Sequence, residues 1–174
     1  MLATQLPPKL VSVFCKHECR WMRLTIRTVP PLKSPKTNGL VNADGSSRIH
    51  KVTTMTVATG RSLNYGRIVK NRCKQAGLDL PALSPRKWGQ RVPGTPFVYY
   101  KDKVYIEVLV HQHSETVYYL DGEQVDKSVV QPYLRLRNDS SSHGLPLKRK
   151  VVWRTISVDN IIAVKSGKLQ YTAT

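Results

Sequence analysis

Apolar and polar residues alternate with a period of two through much of the second half of the chain, the pattern of strands with one buried face. Phe97–Tyr100 and Val104–His111 flank Lys101-Asp102-Lys103 and read as a hairpin. In its second strand Val104, Ile106, Val108 and Val110 share one face, and Tyr105, Glu107, Leu109 and His111 share the other. Thr116–Leu120 and Glu123–Val125 flank Asp121-Gly122, a two-residue hairpin turn because both positions accept positive φ. Asp126-Lys127-Ser128 caps a short helical turn that Pro132 stops, and Leu134–Arg137 reads as a further strand. After a basic, Ser-rich loop at Asn138–Lys150 come strands at Val151–Val158, Ile161–Lys165 and Lys168–Thr172, the last two joined by Ser166-Gly167. Six to eight short strands punctuated by turns predict a small antiparallel barrel or a strongly bent sheet of OB or SH3 size.

One segment has helical rather than strand periodicity. Leu63–Ala76, capped by Ser62 or Asn64 and closed by Gly77, puts Tyr65, Ile68, Val69, Cys73 and Ala76 on one side and Arg67, Lys70 and Lys74 on the other. Arg72 falls in the apolar stripe and would snorkel. The first fifty residues lack such order. Pro7-Pro8, Pro30-Pro31 and Pro35 interrupt them, 33–47 has the composition of a linker, and only Arg20–Arg27 could form a short strand or helix. The fold class is therefore α+β: a barrel-like sheet with one amphipathic helix over 55–174, preceded at 1–54 by a basic, mostly irregular arm. Met55 is an alternative point for translation to begin, and the acid-poor terminus has the composition of an organelle transit peptide.

Charge gives this fold a partner. The 174 residues carry 28 Lys+Arg against 11 Asp+Glu, a formal net charge of +17. Residues 1–91 hold 17 of the basic residues and only three acids, Glu18, Asp44 and Asp79. So large an excess calls for a polyanion, nucleic acid first and an acidic protein second. No apolar run approaches the roughly 18–20 residues of a membrane-spanning helix, and no membrane partner is expected. Three cysteines are too few for a disulfide framework and suit a reducing compartment. A cytoplasmic, nucleoid or virion-associated location follows, with organelle import open.

The sharpest local feature is Ser84-Pro85-Arg86-Lys87-Trp88-Gly89-Gln90-Arg91, in which three cations surround a tryptophan. A base stacked on Trp88 with Arg86, Lys87 and Arg91 on phosphates is the usual device for single strands. Tyr65, Tyr99, Tyr100, Tyr105, Tyr118, Tyr119 and Tyr133 could extend the platform. Equally, Trp88 could plug the core. Lys148, Arg149 and Lys150 end a Ser/Gly loop placed to close over a backbone, and Arg135 and Arg137 share a strand face. Arg67, Lys70 and Lys74 would track phosphates along their helix.

His111-Gln112-His113-Ser114-Glu115 is the one constellation with catalytic chemistry. On an unbroken strand His111, His113 and Glu115 would converge as a 2-His-1-carboxylate metal set, suited to a metal-dependent nuclease. The plainer reading is a polar hairpin tip. Cys15, His17 and Cys19 offer three zinc ligands without a fourth, and Cys73 belongs to the core face of its helix. No phosphate-binding glycine loop, nucleophile elbow or zincin motif is present, and no cofactor is expected.

The succession Thr59-Gly60, Tyr65, Pro85-Arg86-Lys87-Trp88-Gly89, Gly94-Thr95-Pro96, Tyr100-Lys101, Tyr105-Ile106-Glu107-Val108 and Tyr119-Leu120-Asp121-Gly122 resembles small uncharacterised basic proteins of bacteriophage-type genomes, over about 55–172. The resemblance implies a phage or viral context and carries over no catalytic residue. Together these readings predict a non-enzymatic binder of single-stranded DNA or structured RNA, with a virion or ribonucleoprotein assembly component as the alternative.

Overall fold

A computed structural model describes residues 6–15, 21–34, 39–59, 70–71, 73–75, 77, 89–91, 95–135 and 152–173. Among them, one helix precedes a nine-stranded antiparallel sheet. Helix α1 spans Pro8–Cys15, with Pro8 at a first-turn position where its missing N–H costs nothing. Strands follow at Met22–Thr28 (β1), Ile49–Ala58 (β2), Gln90–Arg91 (β3), Phe97–Tyr100 (β4), Lys103–Leu120 (β5) and Glu123–Val125 (β6). A short helix α2 at Lys127–Val130 and a 3-10 turn at Gln131–Tyr133 lead on to β7 (Val152–Ser157), β8 (Ile161–Ser166) and β9 (Leu169–Thr172).

The eighteen-residue β5 organises the sheet. Tyr105 and Ile106 pair with β4 and β7 at once, Leu109 and Val110 with β2 and β7, and Tyr118–Leu120 with β2 and β6. A strand has two edges, so β4 and β2 follow one another along one edge of β5, and β7 and β6 along the other. From β2 the sheet continues through β1 and β8 to β9. It curls as a half-barrel around α1, whose Leu10, Val13 and Phe14 join one core with Leu24, Met55, Val57, Ile106, Val108, Val110 and Val164. Phe14 meets Phe97 edge to face, with centroids 6.0 Å apart.

This core corrects the expectation of an irregular arm over 1–54. β1 lies between β2 and β8, paired to both, and its alternation Met22-Leu24-Ile26 inward against Arg23-Thr25-Arg27 outward is that of a half-buried strand. Leu24 has no exposed surface. Met55 sits in the middle of β2, 3% exposed and opposite Leu24, and does not head a domain.

Both hairpins expected around β5 form. Lys101 and Asp102 take positive φ between β4 and β5, and Asp121 (φ 52°) with Gly122 (φ 84°) turns β5 into β6. The Asp126 carboxylate accepts the Ser128 N–H at 3.2 Å and caps α2. The turn before β9 sits one residue later than expected, at Gly167-Lys168. Residues 70–71 and 73–75 are helical, and Gly77, at φ 69°, donates to the Lys74 carbonyl, so the helix closes at the expected glycine. Cys73 is buried there as a free thiol. Of the strand expected at Leu134–Arg137, Leu134 makes a single bridge to Leu32.

Candidate nucleic-acid interface

Directly paired residues share a face, so the register assigns every strand position to the inner, core-facing side or to the outer side. Across β9, β8, β1 and β2 the outer side is open. One row runs through Gln170, Lys165, Arg23 and Thr56, and the next through Thr172, Ala163, Thr25 and Thr54. Arg27 stands beyond, opposite Val52. Arg23, Arg27 and Lys165 are exposed, and no residue of these two rows is buried. The Thr25 and Thr54 hydroxyls lie 3.3 Å apart.

None of these four adjacent strands contains Asp or Glu. Arg23 and Lys165 are directly opposed across β1 and β8, a pair of like charges. At the end of the face the Trp21 and His111 rings lie 5.1 Å apart at a 41° tilt, both half-exposed. Neither Arg23, Arg27, Lys165 nor Trp21 was singled out as a site by local sequence reading. Their signal was the acid-free alternation of MRLTIRT, which gains meaning only once β8 is known to lie beside it.

Of the residues that sequence reading did single out, Lys70 and Lys74 are exposed on their helix. The Arg91 backbone pairs with Val98 in β3. Arg67, Arg86, Lys87, Trp88, Lys148, Arg149 and Lys150 lie outside the described residues, as do Arg137, Tyr65, His17 and Cys19. Gly89 packs closely against β4. It has φ 73°, and a Cβ there would sit 2.7 Å from the Tyr99 carbonyl and 2.8 Å from Val98, so the backbone next to Trp88 packs flush on β4.

The described tyrosines of β4 and β5 do not form one platform. Tyr119 opposes His50 on the outer side, whereas Tyr118 opposes Lys51 on the inner side and packs with Ile49 and Val130. Tyr105 is outer and Tyr99 inner, its hydroxyl donating to Asp102 at 3.0 Å.

The convergence of His111, His113 and Glu115 is also corrected. These residues lie neither at a hairpin tip nor on one face, but inside β5 across two bulges. Val57 pairs with Val110 and Thr56 with Gln112, leaving His111 as an extra residue; Met55 pairs with His113 and Thr54 with Glu115, leaving Ser114 extra. Each bulge reverses the alternation. His111 and Glu115 stay on the outer side, and His113 turns to the inner side with Met55. Among the described residues, no group of three or more His, Cys, Asp or Glu could hold a metal ion.

No family model, curated protein or solved structure matches the chain. No helix among the described residues is long and apolar enough to cross a membrane.

Proposed function

We propose that this is a non-enzymatic nucleic-acid-binding protein of low sequence specificity, acting on single-stranded DNA or structured RNA. The observation that carries the reading is the outer face of β9-β8-β1-β2, four adjacent strands with exposed Arg23, Arg27 and Lys165 and no carboxylate. Such a face attracts phosphates and gains from the counterions they release. A sheet with one side packed on a helix and the other open is also a surface on which unpaired bases can lie, and Trp21 beside His111 offers one of them an aromatic edge. Arg27 stands about 14 Å from Arg23 along the strand, which spreads the contact over several nucleotides. In this reading Lys70, Lys74 and the Trp88 loop with Arg86, Lys87 and Arg91 extend the track, Arg67 continues the helical stripe, and Lys148, Arg149 and Lys150 close over it.

Fluorescence anisotropy with labelled single-stranded DNA, duplex DNA and RNA at several salt concentrations tests the reading. Binding that falls steeply with salt, favours unpaired strands and weakens by about 1–3 kcal/mol in Trp21→Ala or Trp88→Ala is expected. Absence of binding at low salt contradicts it.

A further inference from the structure

The burial alternation of β1 does not stop where the strand does. After Thr28 the exposed positions are Val29, Pro31 and Lys33 and the buried ones Pro30 and Leu32, the same odd-out, even-in order as in β1. A period of two that survives Pro30-Pro31 carries the exposed side of β1 past its last paired residue. Leu32 then bridges Leu134, and both leucines pack in the cluster around Ile49 and Val130.

Two backbone hydrogen bonds frame that bridge. The Lys33 N–H donates to the Tyr133 carbonyl and the Arg135 N–H to the Pro31 carbonyl, each at 2.9 Å. Lys33 therefore stands directly opposite Tyr133, and Arg135 opposite Pro31, all four on the side away from Leu32 and Leu134. Pro132 restricts the backbone just before Tyr133, and the Leu134 N–H closes the 3-10 turn on the Gln131 carbonyl at 3.2 Å. The Tyr133 ring, 39% exposed, is thus held on a constrained backbone with an exposed cation on each of the two chain segments. Neither Lys33 nor Arg135 forms an ion pair among the described residues. Segments 29–34 and 127–135 hold no Asp or Glu, and the Asp126 carboxylate is engaged in capping α2.

We infer that Tyr133, Lys33 and Arg135 form a nucleotide-binding site for an unpaired strand, one base stacking on the tyrosine ring and its flanking phosphates meeting the two cations. The inference rests on the proposed binding of single strands and adds to the outer face a second site that reads the base. Every base has a face to stack, so the site fits low sequence specificity. Arg135 offers a planar fork of N–H donors to two phosphate oxygens, and Lys33 a compact charge. Lys33 follows Arg27 by six residues, at most roughly 20 Å of extended chain, so a strand leaving the outer face at Arg27 reaches Tyr133 within a few nucleotides.

Fluorescence anisotropy of the full chain tests this with a labelled oligothymidylate and a strand of equal length that lacks its bases. Tyr133→Ala is expected to weaken oligothymidylate binding about tenfold and to leave the affinity for the abasic strand unchanged. Tyr133→Phe keeps the ring and should bind both strands as the parent does. Lys33→Gln combined with Arg135→Gln should make the slope of log affinity against log salt shallower by about 1.4, two phosphate contacts at about 0.7 each. The inference is overturned if Tyr133→Ala binds oligothymidylate as the parent does, if it weakens both strands alike, or if the double variant keeps the parent's slope. Those results, with Arg23→Gln and Lys165→Gln still weakening both strands, would leave the outer-face reading standing. Conversely, a base-dependent loss in Tyr133→Ala while Arg23→Gln and Lys165→Gln change nothing would support this site and remove the outer face from the interface.

Discussion

Arg48 and Asp121 form a two-pronged ion pair, Nε to Oδ1 at 2.9 Å and Nη2 to Oδ2 at 2.6 Å, between residues 73 apart in sequence. Arg48 Nη1 also donates to the Gly39 carbonyl at 2.7 Å, and the Asp121 N–H donates to the Arg48 carbonyl. The pair therefore ties the 39–48 loop to the tip of the β5–β6 hairpin. Its hydrogen bonds from Arg48 hold the Asp121 carboxyl below the usual 3.8. A carboxylate with a lowered folded pKa stabilises the fold above its unfolded pKa, and that contribution fades as pH falls through and below about 4. Asp121→Asn keeps a residue tolerant of φ 52° while removing the charge. Its melting temperature should fall below the parent's at neutral pH and approach it in acid.

Leu24 tests whether β1 belongs to the core. Burying a leucine completely and then truncating it to alanine costs about 2–5 kcal/mol. Leu24→Ala should lose stability of that order in urea unfolding, whereas Thr25→Ala, on the open side of the same strand, should lose far less. Equal effects would return β1 to the status of an appendage.

Gly89 and Gly122 both have positive φ but differ in surroundings. At Gly122 a Cβ meets nothing within 4 Å, so Gly122→Ala costs only the left-handed conformation, about 1–2 kcal/mol. At Gly89 the added carbon collides with the Tyr99 carbonyl, and Gly89→Ala should destabilise more. Thermal unfolding of the two variants side by side measures the difference.

His113 makes a second, separate pH dependence. Its folded pKa lies below 6.5, so the unfolded chain binds the proton more readily. Stability from this residue is present above pH 6.5 and declines as pH falls from there toward the folded pKa, below which the penalty is constant. His113→Gln should flatten that part of the stability profile, leaving the acid limb of Asp121 intact. An unchanged profile between neutrality and pH 5 would contradict the placement.

Local pattern was sufficient for the hairpins, because Asp121-Gly122 and the alternation in Phe97–Tyr100 and Val104–Val110 encode turn and face within a few residues. It was sufficient for the Gly77 helix end and the Asp126 cap for the same reason. β1 was legible in MRLTIRT, yet flanking prolines and linker composition outweighed seven alternating residues, since a strand's strongest stabilisation comes from neighbours distant in sequence. The bulges at His111 and Ser114 were invisible because they exist only relative to β2: nothing in HQHSE states that two of its residues will lack partners. The outer face was hidden likewise, since Arg23 and Lys165 become neighbours only when β1 and β8 pair.

Whether nucleic acid lies on the outer face is read from the salt dependence of single-strand affinity for the parent and for the triple variant Arg23→Gln, Arg27→Gln, Lys165→Gln. Each lost phosphate contact lowers the slope of log affinity against log salt by about 0.7 for a single strand. The outer-face account requires the triple variant to bind more weakly with a slope shallower by about 2, while Asp121→Asn keeps the parent's slope. A triple variant with the parent's affinity and slope would show that nucleic acid does not lie on this face.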